Sequence, residues 1–165
     1  MISFSYAKPG DESTLGHLRQ LCWGATYRGI YPDEMIDQFD YAWHAKRDLA
    51  RINSPQFEVF LIIEDASPIG YMTVQHGTPP LLYSLYLLPA HQHRGIGRLA
   101  FNRMRDFCIT NAQSCFLCHC QPENTNALTF YQHMGGVIIA RDEDNVETFM
   151  NSVTFRFMIP KGEAL

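Results

Sequence analysis

The period of the apolar residues changes repeatedly along this chain, and each change marks a new element. Ile2 to Ala7 alternates and predicts a strand, ended by Pro9-Gly10. Asp11-Glu12-Ser13-Thr14 supplies capping residues ahead of Leu15, Leu18, Leu21, Cys22 and Ala25, the spacing of one helix face. Tyr27-Arg28-Gly29-Ile30-Tyr31-Pro32 breaks that pattern. A second helix is expected from about Asp33, with Met35, Ile36, Phe39, Trp43 and Leu49 on its apolar side. Phe57 to Ile63 and Ile69 to Gln75 predict a hairpin turned by Glu64-Asp65-Ala66-Ser67-Pro68. A central strand over Leu82–Leu88, a helix over Ile96–Asn111, a strand over Cys115–Gln121 and a helix over Thr125–His133 follow. Closing strands are expected near Gly136–Arg141 and Val153–Ile159.

The order β-α-α-β-β-β-α-β-α-β-β predicts an α/β (α+β) fold. Its sheet is twisted, mixed and mostly antiparallel, with about seven strands flanked by about four helices. No repeat, low-complexity tract or linker interrupts it, so residues 1–165 read as a single domain.

The most informative stretch is Leu85-Tyr86-Leu87-Leu88-Pro89-Ala90-His91-Gln92-His93-Arg94-Gly95-Ile96-Gly97, a strand running through a glycine turn into a helix. The free N–H groups of a helix start and its dipole favour an anion, and glycines let a phosphate approach the backbone. Two phosphate motifs are excluded. Ala100 stands where G-x-G-x-x-G wants its third glycine, with no acidic residue about twenty positions on, and no Gly-Lys-Ser/Thr follows as a P-loop requires. What remains is Gln92-x-x-Gly95-x-Gly97. Downstream stands Asn124-Thr-Asn-Ala127-Leu-Thr-Phe130-Tyr131-Gln-His-Met134-Gly135.

These two motifs, in this order, resemble the acyl-CoA-binding segment and the Asn-x-x-Ala-x-x-Phe-Tyr-x-x-x-Gly helix of the GNAT superfamily of N-acetyltransferases. The resemblance covers about Phe57 to Ile159 well and the first fifty residues more loosely. The family usually has an aromatic where Gly136 stands, and that departure is expected to loosen packing at the helix end.

Composition narrows the picture further. A net charge of −4 argues against nucleic-acid partners and suits a cationic acceptor. No apolar run reaches the ~18 residues of a membrane span, and no basic, apolar leader opens the chain. The expected location is cytoplasmic, as a monomer or homodimer. Five cysteines, an odd number, suit free thiols in a reducing compartment. Cys115-Phe-Leu-Cys118-His119-Cys120 contains a C-x-x-C-H pattern, but strand alternation makes its side chains diverge, so no metal is expected.

Amide formation from a thioester needs the acyl carrier held, an oxyanion donor, a neutral amine and a proton for the leaving thiolate. The backbone from His93 through Arg98, around Arg94, Gly95, Ile96 and Gly97, is expected to cradle the pyrophosphate of acetyl-CoA as co-substrate. Gln92 belongs to the same motif. Arg94 and Arg98 either add charge at the nucleotide end or are plain exposed arginines. The resemblance implies that the pantetheine arm runs beside Tyr86–Leu88, with Leu87 and Leu88 contributing backbone and the Leu87 N–H facing the acyl carbonyl. It also implies that Tyr131 acts as general acid near the sulfur, and that Asn124, an N-cap by position, bonds the cofactor arm or the neighbouring strand.

Amine deprotonation has no clear owner. The central strand carries no carboxylate, which leaves His119, Glu58, Ser84, Tyr86 or water. Histidine is the residue type that titrates nearest neutrality. The amine acceptor, a small molecule or a peptide, is expected to meet Tyr27, Tyr31 and His119. The segments Tyr27–Pro32 and Asp142–Glu147 would shape its cleft. A non-catalytic acyl-CoA-binding or sensing module on the same fold is the principal alternative, and a nucleotide-binding protein the lesser one.

Overall fold

The computed structural model describes residues 1–161. Seven strands form one sheet in the order β1-β2-β3-β4-β5-β7-β6, with β1 Ile2–Tyr6, β2 Phe57–Glu64, β3 Ser67–Gln75, β4 Leu81–Leu87, β5 Cys115–Cys120, β6 Val137–Asp142 and β7 Ser152–Met158. Every neighbouring pair is antiparallel except β4 and β5. The mixed, mostly antiparallel sheet and its flanking helices agree with the order read from the periodicity.

Helices cover both faces. On one side α1 (Glu12–Thr26) and α3 (Tyr41–Ile52) lie over Val59, Leu61 and Tyr71, with Leu15 and Leu18 fully buried beneath them. On the other, α4 (Ile96–Thr110) and α5 (Thr125–His133) cover the larger core. Ala100, Phe101, Met104 and Cys108 of α4 pack there on Met72, Leu82, Phe116 and Phe155. These α4 residues recur at spacings of three and four, the stripe that drives a helix onto a sheet.

The segment expected as one second helix is two. α2 (Asp33–Asp37) stops after a turn and a half, and Asp40 restarts the helix as α3 by accepting a hydrogen bond from the Trp43 N–H at 2.9 Å. Asp40 is a cap in mid-pattern, so five helices flank the sheet where about four were expected. The assumed apolar side is not a buried stripe. Met35 and Trp43 are exposed, and the buried α3 residue is Asp48.

Asp48 takes Arg19 of α1 in a two-pronged ion pair at 2.5 and 2.9 Å, while Arg51 reaches the same carboxylate at 3.2 Å. Burial works against the Arg19 charge, but the Asp48 hydrogen bonds outweigh it and hold the guanidinium above its ordinary range. Arg19 also lies over the Tyr71 ring, so the pair ties two helices to the sheet.

The end of α5 differs from expectation too. Gly135, at φ +89°, closes a Schellman motif in which its N–H and that of Gly136 donate to the Gln132 and Tyr131 carbonyls, both at 3.0 Å. A Cβ at Gly136 would lie 2.7 Å from the Phe157 ring and 2.9 Å from Phe155. The packing there is not loosened, because β7 supplies the aromatics and leaves no room for one at position 136.

Candidate active site

β4 and β5 run parallel but pair only at Leu81–Leu117 and Leu82–Cys118. One residue on, β4 carries a bulge at Tyr83, where its partners on β3 jump from Val74 to Thr73 while its own residues jump from Leu82 to Ser84. A bulge bends its strand and sharpens the twist. Pairing with β5 ends there, and the sheet opens into a wedge.

Backbone groups line that wedge. The Leu88 N–H donates to the Ile69 carbonyl at 2.9 Å. Antiparallel alternation therefore turns the Leu87 N–H away from β3, toward the opening. The Leu87 carbonyl accepts from Gln92 Nε2 at 3.0 Å, which pins the turn to the strand end. A cavity of about 530 Å³ fills the wedge, within the usual range for small-molecule sites. Its walls are Ser84–Leu87, Cys118–Gln121, the 92–98 turn and the near face of α5.

The turn presents donors. Gly95 caps α4 in the left-handed region at φ +79°, a conformation that favours glycine. The N–H groups of His93 through Gly97 donate to no backbone carbonyl among the described residues, whereas the Arg98 N–H turns back onto Gly95 at 3.1 Å. Gly97 has a different reason to be glycine. Its φ is not positive, but a Cβ there would lie 3.2 Å from the Phe130 ring, so it lets α4 and α5 approach closely. The residues fit a phosphate-bearing ligand: the N–H groups of His93 through Gly97 stand without backbone partners at a helix start, and His93, Gly95 and Gly97 line the cavity.

Leu87, Gln92, His93, Gly95, Gly97, Arg98, Asn124 and Tyr131 line this cavity. Leu88, Arg94 and Ile96 do not. Leu88 packs toward α1, and Ile96 is buried in the α4 core. Arg94 is paired within the protein. Its guanidinium turns onto Glu64 of β2 at 2.6 and 3.0 Å, and His91 Nδ1 meets the same carboxylate at 2.8 Å. The Arg94 hydrogen bond, with that of His91, holds the Glu64 carboxyl below its usual range. Arg94 therefore clamps the turn to the sheet.

Asn124 is the N-cap of α5, its side-chain oxygen accepting from the Ala127 N–H at 3.2 Å. Tyr131 is buried on α5 beside Cys118, and burial raises its phenol well above the ordinary range. It therefore stays protonated at neutral pH. Tyr86 bonds Tyr27 hydroxyl to hydroxyl at 2.9 Å, and burial pushes its phenol up to about 12.

A second cavity, about 370 Å³, adjoins the first and shares Tyr27, His119, Cys120 and Gln121 with it. Trp23, Tyr31, Phe149 and Met150 form most of its remaining wall. Tyr27 and Tyr31 stack at 4.1 Å, and His119 Nδ1 lies 2.9 Å from Thr154 Oγ1. The acidic segment Asp142–Glu147 lines neither cavity and makes local bonds instead. Glu58 lies outside both, 4.0 Å from His76.

Sequence reasoning missed Trp23, Phe149 and Gln121. The Gln121 oxygen accepts from the Glu123 and Asn124 N–H groups, and its buried Nε2 has no partner among the described residues. Its place just before Pro122 and the cap Asn124 was the available signal. Phe149 had none, because it arrives through the fold-back of β6 onto β7.

The sequence model of the acetyltransferase (GNAT) family matches residues 15–136, well over half of the chain. The chain belongs to that family. Among solved structures, this GNAT chain is similar to the PaiA N-acetyltransferase from Thermoplasma acidophilum in complex with coenzyme A. The TM-score is 0.82 at 18 % identity, over 96 % of this chain and 99 % of that one. The ribosomal-protein-S18-alanine N-acetyltransferase from Escherichia coli matches at TM-score 0.74 and 14 % identity, over 100 % and 99 % of the two chains. The spermidine N-acetyltransferase from Vibrio cholerae, solved with CoA and spermine, gives 0.74 and 14 %, over 96 % and 95 %. At these identities the likeness is one of fold. No curated protein matches this GNAT chain. Among its described residues, no helix is long and apolar enough to cross a membrane, and no group of three or more His, Cys, Asp or Glu could hold a metal ion.

Proposed function

We propose that this protein is an acetyl-CoA-dependent N-acetyltransferase that moves an acetyl group to a primary amine by direct attack on the thioester. The observation that carries the reading is the wedge between β4 and β5. One cavity there gathers a free strand N–H, a helix-start donor turn and a protonated tyrosine.

Acetyl-CoA, when bound, supplies a thioester activated toward amine attack. The donor turn around Gly95 and Gly97 holds its phosphates, with Arg98 on the cavity wall adding charge. The Leu87 N–H faces the acyl oxygen and stabilises negative charge as it develops. Tyr131 gives its proton to the departing thiolate. Asn124 keeps α5, and so Tyr131, at the wall. His119 takes the proton from the amine, being the candidate base that borders both cavities. Ser84 and Tyr86 border only the larger one, and the Tyr86 phenol stays a hydroxyl at neutral pH. The acceptor approaches past Tyr27 and Tyr31. Five unpaired cysteines, Cys118 and Cys120 pushed up to about 12 by burial, suit a reducing compartment such as the cytoplasm.

Isothermal titration with acetyl-CoA tests the first step, and thiol release across an amine panel tests the second. Saturable binding with amine-dependent release is expected, and His119→Gln should lower release while leaving acetyl-CoA binding intact. No binding at millimolar acetyl-CoA sinks the reading. Binding without turnover on any amine would make the protein an acyl-CoA-binding module.

Gly97→Val gives a sharper check of the donor turn. Its side chain must displace Phe130 or separate α4 from α5, either of which distorts the cavity wall. Acetyl-CoA affinity should fall at least ~10-fold, about 1.4 kcal/mol, with the circular dichroism spectrum retained. Unchanged affinity would mean that Phe130 yields without disturbing the cofactor wall.

A further inference from the structure

We infer that the acceptor is a monoamine carrying a flat apolar group, of the arylalkylamine kind, seated in the second cavity with its nitrogen toward His119. This rests on the acetyl-transfer reading and deepens it. The smaller cavity adjoins the larger, with Tyr27, His119, Cys120 and Gln121 on the lining of both, so a molecule seated there lies beside the thioester site. The remaining wall is Trp23, Tyr31, Met35, Phe149 and Met150, with Asn151 and Ser152 as its polar members.

The chemistry of the lining decides the class. No aspartate, glutamate, lysine or arginine lines this cavity. Of the three acids of α2, Arg28 holds Asp33 at 3.0 Å and Asp37 at 2.8 Å, and Glu34 is not part of the lining. A polyamine's second ammonium and an amino acid's carboxylate would each meet a lining without a counter-charge. A ring gains from the same walls through burial and edge or face contact.

The aromatic wall is also preorganised. Trp23 stands edge-on to Tyr27, Tyr31, Phe39 and His44 at centroid distances of 5.3 to 6.0 Å. Phe149 meets Tyr31 edge-on at 5.6 Å. A volume of about 370 Å³ accommodates one ring and a short alkyl arm.

The test compares 2-phenylethylamine, spermidine and glycinamide as acceptors, by thiol release at saturating acetyl-CoA. The aryl amine should show kcat/KM at least ~10-fold above either other amine. Phe149→Ala should raise its KM about 10-fold, the effect of losing most of one ring's apolar contact. Phe149→Leu should restore part of that loss, and KM for acetyl-CoA should stay unchanged in both variants. Preference for spermidine or glycinamide overturns the inference while acetyl transfer stands. An unaltered aryl-amine KM in Phe149→Ala also overturns it. Failure of acetyl-CoA to bind the wild-type protein overturns the acetyl-transfer reading and this inference with it.

Discussion

Replacing Tyr131 with phenylalanine should lower acetyl transfer by roughly 10²- to 10⁴-fold, the span typical of a positioned proton donor. The substitution removes one hydroxyl and keeps the ring. That ring packs against Phe130, Phe155 and Phe157 at centroid distances of 5.3, 5.6 and 6.0 Å, so the α5 core should persist. Burial raises the Tyr131 phenol, which guarantees a protonated donor at neutral pH. Acetyl-CoA binding should change little, because the donors offered to its phosphates belong to the 93–97 backbone. The measurement is kcat with a working amine beside a binding isotherm for acetyl-CoA. Turnover near wild type would assign the proton to water or another donor, and Tyr131 would be a packed helix aromatic.

Asp48→Ala should cost about 3–5 kcal/mol of folding stability, the usual consequence of removing one partner from a buried ion pair. Arg19 is 8 % and Asp48 3 % exposed, so water cannot replace the lost carboxylate without opening the helix pair. The guanidinium would remain under α3, over the Tyr71 ring, with its charge uncompensated. Tyr71 in turn stacks on Tyr86 at 5.3 Å, which links the pair to the wall of the larger cavity. Urea unfolding at neutral pH measures the loss. The double variant Arg19→Met/Asp48→Leu should recover most of it, because two apolar residues replace the buried pair and Arg51 keeps its hydrogen bond to the Tyr83 hydroxyl. A loss below about 1 kcal/mol in the single variant would show that the pair is solvated in solution.

The strands and the motif-bearing helices were legible because each is specified over a short window. Alternation in Phe57–Glu64 and the three-and-four spacing from Ile96 depend on near neighbours alone. Gln92, Gly95 and Gly97 announced the donor turn, and Asn124 announced the start of α5, since a cap acts within three residues. The split of the second helix was legible too in principle, through Asp40, but the apolar pattern of Met35, Ile36, Phe39 and Trp43 ran across it.

Other features depend on what meets what. Arg94 could serve a ligand or a carboxylate, and only the approach of Glu64 from β2 settles its direction. Gly136 seemed to leave a gap, yet Phe157 fills it from another strand. The acidic run Asp142–Glu147 looked like acceptor chemistry, while the residues that reach the cavity are Phe149 and Met150 just beyond it.

The sequence by itself determined the order of the strands, the donor turn and the tyrosine helix, because periodicity, capping and backbone freedom act between residues a few positions apart. Tertiary structure alone decided that β4 and β5 part after Leu82, that Tyr131 and the Leu87 N–H border one opening, and that Trp23, Tyr31 and Phe149 line a second cavity beside it. Those arrangements join segments far apart in the chain, and packing of the whole sheet and its helices selects them.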